Sequence, residues 1–222
     1  VERYSTADLN GRRAAVARMA ELGEQARPTL VRLAAAEPDL AVRLRIFQPL
    51  YAPLLAQLQE SFQVDQPVAT QVVAVVAAFE TWNSLFPEDP GPALALVPWL
   101  ERAGQPAHAD TVFSNAWQRL EERLGPPPGD PEVHNNIAWL GARLRRRLAA
   151  SLEHAQAAVR GAPAQAAFLD TLAEVQFQLG QRDQAVATIK QAVAKDPETP
   201  YFQQQLARIE KGDPATPPPD PE

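Results

Sequence analysis

The chain has 222 residues, 21 Lys+Arg against 27 Asp+Glu, and a formal charge of −6, an acidic balance that argues against nucleic-acid and anionic-membrane binding. Apolar residues make up 45% and charged residues 22%, enough to bury a core in one large domain or two small ones without staples. The absence of cysteine excludes disulfides, thiolate metal sites and a Cys nucleophile.

Apolar residues recur at helical spacing along the chain, and period-2 alternation is nearly absent. The spacing predicts helices over 8–22, 27–36, 39–48, 50–62, 67–85, 91–103, 107–124, 131–144, 149–160, 165–179, 182–195 and 200–211. Proline (22 residues) is abundant while glycine (10) is not, so the prolines read as punctuation between helices rather than as a linker. Asp130-Pro131-Glu132 supplies an N-cap, a Pro for the first helical position and an acid near the positive helix end. Thr199-Pro200 repeats that arrangement. Gly23, Gly104, Gly125 and Gly180 each follow a helical run, as a left-handed cap requires. Asp213 to Glu222 is rich in proline and acid and is expected to be a disordered tail.

Short helices joined by tight turns call for a search for repeats. Leu169, Leu172, Ala173, Gly180, Ala185, Ile189, Ala192 and Pro197 reproduce a pattern of large, small and turn residues. Ala158 and Pro163 precede Ala192 and Pro197 by 34 residues, and Ile137-Ala138 precede Leu172-Ala173 by 35, so one extra residue sits between Leu144 and Leu148. Gly104, Ala109, Phe113 and Ala116, with Leu96 and Leu100, give a fainter earlier copy. The period resembles that of the tetratricopeptide repeat (TPR) family, with a departure at Gln176, where the family usually has Tyr. In the N-terminal region, Ala14-Ala15, Leu22-Gly23, Pro28, Leu30, Leu33, Pro38-Asp39 and Val42-Arg43 look like a HEAT-type repeat. The two resemblances imply an all-α, right-handed α-solenoid of antiparallel helix pairs. Residues 1–89 would be a HEAT-like region with connecting helices. Three TPR-like units would follow at about 90–124, 131–165 and 166–199, with a capping helix over 200–211.

The nucleotide-loop, nucleophile-elbow and zincin motifs are absent. His108, His134 and His154 lie in different helices. His134 and His154 can approach inside one repeat, but no acid stands near them at a ligand spacing, so they read as ordinary, partly exposed histidines. The acids Glu21, Glu24, Glu121, Glu122 and Glu174 are expected on solvated helix faces. Trp82, Trp99 and Trp117 are read as core. Arg143, Arg145, Arg146 and Arg147 form a basic cluster, either an anion site or a solvated turn helped by the negative helix end. No cofactor, metal or catalytic residue is expected.

In the TPR family the first helix of each pair lines a concave face that binds extended peptides or a helix. The resemblance therefore implies a peptide-binding groove of Asn135, Trp139, Arg143, Asp170, Glu174, Phe177 and Gln178, on a non-enzymatic protein-protein interaction scaffold. An amide, a large aromatic and an arginine suit peptide recognition. The alternative is a structural helical spacer in a larger protein. An enzyme with a site in an atypical cleft is a third reading. The apolar runs, such as Val72 to Phe79, fall short of the ~20 residues of a membrane span, and no signal peptide is visible. The opening on Val1 implies a processed form or an excised piece, cytoplasmic or exported. Its alanine and arginine use has a bacterial style.

Overall fold

Helix boundaries follow from the caps. The structure, a computed structural model, describes residues 8–22, 25–37, 42–47, 56 and 69–212. Asp8 Oδ1 accepts from Gly11 N at 2.7 Å and opens α1 (Leu9–Ala20). Pro28 stands in the first turn of α2 (Arg27–Ala35). A helical stretch covers 42–47. Then come α3 (Ala69–Leu85), α4 (Gly91–Arg102) and α5 (Pro106–Glu122). Asp130 Oδ1 accepts from Glu132 N at 2.9 Å and starts α6 (Pro131–Leu144), as the Asp-Pro-Glu triplet implies. The remaining helices are α7 (Leu148–Gly161), α8 (Ala166–Gln178), α9 (Arg182–Lys195) and α10 (Pro200–Lys211). Thr199 departs from expectation. It precedes α10, but its hydroxyl donates to Asp196 Oδ2 at 2.8 Å and caps no helix N–H. Gly104, Gly125 and Gly180 take positive φ, as a glycine after a helix should.

No strand occurs among the described residues, and the helices pack against their neighbours in sequence. The expected helix over 50–62, Gly23, Asp39 and the tail lie outside the described residues, apart from Ala56. No described helix is long and apolar enough to cross a membrane.

The chain divides into two compact units, Val1–Ala116 and Trp117–Glu222. In the first, α1 packs on α2, α2 on α3 and α3 on α4. Val16, Leu30, Leu33, Ile46, Phe47, Trp82, Leu85 and Phe86 form its core. Trp82 lies 4.7 Å from Phe86 between ring centres, and Phe47 meets Phe86 edge-on at 6.5 Å. The Trp82 indole N–H donates to Asp89 Oδ2 at 3.1 Å, while Asp89 Oδ1 accepts from Gly91 N at the start of α4. One carboxylate thus ties a core aromatic to a helix start. Trp82, Trp99 and Trp117 are buried, as expected.

In the second unit, α6 pairs with α7 and α8 with α9, and α8 also packs against α6, α7 and α10. Ala138, Ala142, Ala155, Ala158, Ala173, Ala185 and Ala192 are wholly buried. Small residues stand where backbones approach, and Ile137, Leu140 and Ile189 fill the gaps, each such burial contributing about 1.5–3 kcal/mol. The closest approach is at Gly141. A Cβ there would overlap Ser151 Oγ and lie 2.8 Å from Arg146 O. The connection between Leu144 and Leu148, where the sequence carries its extra residue, places Arg145 (φ 53°) and Arg147 (φ 49°) in the left-handed region. For an L-residue with a side chain this costs about 1–2 kcal/mol each. Gln176, where the sequence departs from the TPR pattern, accepts from the Thr188 hydroxyl on α9 at 2.8 Å in a buried hydrogen bond.

Candidate binding site

α8 lies against both α6 and α10, so the expected groove residues of α6 and α8 meet on one side of the second unit. There Asn135, Asn136 and Trp139 of α6, Ala167, Asp170 and Thr171 of α8, and Glu198 to Phe202 with Gln204 line a cavity of 590 Å³. Asn135, Trp139 and Asp170 are brought together as the sequence implied. Arg143 is not among the lining residues, but its guanidinium lies 5.1 Å from the Trp139 ring centre.

Asp170 is 4% exposed. Its Oδ2 accepts from the Tyr201 hydroxyl at 3.1 Å. Its Oδ1 is buried and has no hydrogen-bond partner, and the same holds for Asn135 Oδ1. Burial pushes the Asp170 carboxyl up to about 7, opposed by the Tyr201 hydroxyl and reinforced by the Glu174 charge. Burial, and then the Asp170 charge, likewise raise the Tyr201 phenol. Near neutrality Asp170 is therefore poised between its acid and its anion.

Glu174 corrects the expectation of a solvated acid. It is fully buried, with partners from α10 on one carboxylate oxygen and from its own helix on the other. Arg208 makes an ion pair with Oε2, Gln205 donates to the same oxygen at 3.2 Å, and Gln178 donates to Oε1 at 2.8 Å. The Arg208 Nε–H also donates to Gln205 Oε1 at 2.8 Å, and its guanidinium lies 5.0 Å from the Phe177 ring centre. Phe177, 2% exposed, belongs to the core shared by α8, α9 and α10. Of the seven groove residues expected from sequence, Asn135, Trp139 and Asp170 line the cavity, Arg143 stacks on Trp139, Glu174 and Phe177 meet α10, and Gln178 bonds to Glu174 on its own helix.

Tyr201, Thr171 and Phe202 were not anticipated as lining residues. A signal for α10's role exists in the sequence: Arg208 follows Glu174 by 34 residues, one full period. That separation brings α10 against α8 through the Glu174–Arg208 pair.

The basic cluster does not converge. Arg143 lies over Trp139 on α6, while Arg147 lies 5.1 Å from the Trp117 ring centre. His134 and His154 are closer than their sequence reading implied. Their Nδ1 atoms are 2.8 Å apart, His134 Nε2 is 3.0 Å from Pro128 O, and Trp117 meets His154 edge-on. If His134 donates to the Pro128 carbonyl, its Nδ1 is the acceptor, and His154 supplies the proton between the rings. Burial and the His134 charge lower the His154 pKa, against Glu121 and Glu153. Among the described residues no three His, Cys, Asp or Glu side chains converge as a metal set.

No family model and no curated protein matches the chain. Similar solved structures include MamA residues from 41 to the end from Desulfovibrio magneticus RS-1, at 18% identity and a TM-score of 0.40, covering 74% of this chain and 87% of that one. They also include a MamA RS-1 ArsTM double mutant, likewise at 18% identity, with a TM-score of 0.39, covering 74% of this chain and 86% of that one.

Proposed function

We propose that the chain is a non-enzymatic protein-interaction scaffold, and that the α6–α8–α10 face of its second unit receives an extended segment of a partner protein. The observation that carries this reading is the cavity. It brings Asn135, Trp139 and Asp170, from the first helices of successive pairs, into one open space with Asn136 and Tyr201. Amides can pair with a peptide backbone, and the rigid rings of Trp139 and Tyr201 offer contact area at little entropic cost. The division at residue 89 into a HEAT-like and a TPR-like part, with units over 90–124, 131–165 and 166–199, belongs to the same proposal. In this reading α10 fills the Glu174–Phe177 end of the face, and the guest takes the Asn135–Asp170 end.

Panning a random peptide display library against the full chain tests this. Selected peptides should bind the parent and lose at least tenfold in affinity to Trp139→Ala and to Asn135→Ala, with circular dichroism showing both variants folded. Peptides that bind both folded variants as tightly as the parent would place the binding face elsewhere.

A further inference from the structure

We propose that the α6–α8–α10 cavity takes the cationic head of an arginine or lysine side chain carried by the partner segment; this rests on reading that face as a peptide groove.

The two orphaned acceptors decide the chemistry. Asp170 Oδ1 and Asn135 Oδ1 are buried and without donors, and they belong to residues on adjacent helices that line one cavity. A buried acceptor without a donor is costly, so such atoms usually have a partner that completes the site. A guanidinium brings five N–H donors and no acceptor, and an ammonium brings three. Either brings donors only, and its charge neutralises Asp170 once the Asp170 side chain turns toward it. A carboxylate or phosphate guest would set lone pairs against lone pairs. A hydroxyl or neutral amide brings acceptors of its own and leaves the buried charge unpaired.

The remaining walls agree. Trp139, Tyr201 and Phe202 offer aromatic surface, which attracts cations. The Arg143 guanidinium over Trp139 shows that this ring already receives one. The exposed carboxylate of Glu198 stands at the rim. Burial outweighs what the neighbours offer Asp170: Arg208 of α10 pairs with Glu174 of α8 and lowers the Asp170 pKa only weakly, and Arg143 of α6 lies against Trp139.

Asp170 is partly protonated near neutrality, and a cation binds its anion. Affinity therefore rises as pH increases from 6 to 8. Among the facing groups, Glu174 and Arg208 are engaged with each other in an ion pair, and burial with the Asp170 charge holds the Tyr201 phenol neutral.

Isothermal titration of the full chain with N-acetyl-arginine methylamide and its neutral isostere N-acetyl-citrulline methylamide tests the inference. The arginine derivative should bind at least tenfold more tightly than the citrulline one, and more tightly at pH 8 than at pH 6. Asp170→Asn keeps the shape and removes a buried charge, so it should fold; it should lose the preference and the pH dependence together. If it does not fold, Asn135→Ala and the pH dependence of the parent decide. Equal binding of the two derivatives, or an unchanged preference in Asp170→Asn, overturns the inference. Spermidine binding more tightly than every basic peptide would overturn the peptide as source. The two readings fail separately. Selected peptides that lack basic residues and ignore Asp170→Asn, yet need Trp139, would sink the cation site alone. Peptides indifferent to Trp139 and Asn135 would sink the groove itself.

Discussion

Each unit buries an arginine, and the two sites differ in what they leave over. In the first unit Arg43 is 2% exposed. It donates to Glu37 O at 3.0 Å and to Leu85 O at 3.4 Å, and it pairs with Glu88 at 2.6 Å. Its guanidinium gathers backbone carbonyls near helix ends and one carboxylate that keeps some contact with water. In the second unit Arg208 and Gln205 complete Glu174, but the neighbouring Asp170 and Asn135 keep unpaired oxygens. The first unit has an orphan too, Asn83 Nδ2, but it is a single donor. Two like atoms on residues that line one cavity are a different case. The contrast separates a buried charge that closes a fold from one that leaves a place open.

The sharpest way to break this comparison is to remove each arginine in turn. Arg208→Ala would strand Glu174, which has no route to water, and should cost about 3–5 kcal/mol. Arg43→Ala should cost less, because Glu88 is 14% exposed and can be hydrated. Urea unfolding of both variants checks the order, and an equal loss would mean that the two sites are equivalent. Next in size is Gly141→Ala, which forces a methyl onto Ser151 and the Arg146 carbonyl and should destabilise by about 1–3 kcal/mol. Adding Ser151→Gly should recover part of that loss.

Arg145→Gly should act in the opposite direction. It relieves a left-handed residue and should stabilise by about 1 kcal/mol, read as a higher melting temperature. Arg147→Gly should gain less, because it also gives up the contact with Trp117. The smallest effect concerns His154, whose lowered pKa favours the neutral ring in the folded state. That stabilisation is complete above 6.5 and drains away as pH falls from there through the depressed folded value. Asp170, raised to about 7, takes up a proton in the folded state over the same range and pulls the other way, so the His154 share is read as a difference: the urea midpoint of the parent relative to that of His154→Gln should shrink between pH 7 and 5.

Much of the fold was legible because helix ends carry local signals. Asp130-Pro131, Gly104, Gly125 and Gly180 mark boundaries by chemistry that acts over a few residues, and the structure uses each of them. Arg145 and Arg147 gave no such signal, since nothing in an arginine announces a positive φ; the extra residue in that connection was the available hint. The cavity was half legible. The resemblance to the TPR family implied a common face for Asn135, Trp139 and Asp170, but a charge at a helical position reads as solvated until its partner is known. Glu174 finds its partner on α10, and the contact is set by packing across one whole period. The His134–His154 approach was visible as proximity within a repeat, whereas the direct meeting of their Nδ1 atoms depends on side-chain rotamers.

The outward side of α10 has a consequence for assembly. Phe202, Gln205, Arg208 and Ile209 turn inward, while Gln203, Gln204, Ala207, Glu210 and Lys211 are left to solvent. Another coil laid across that side would meet amides, charges and a lone methyl, and would withdraw little oily surface from water. That side of α10 therefore supplies little hydrophobic driving force for stacking.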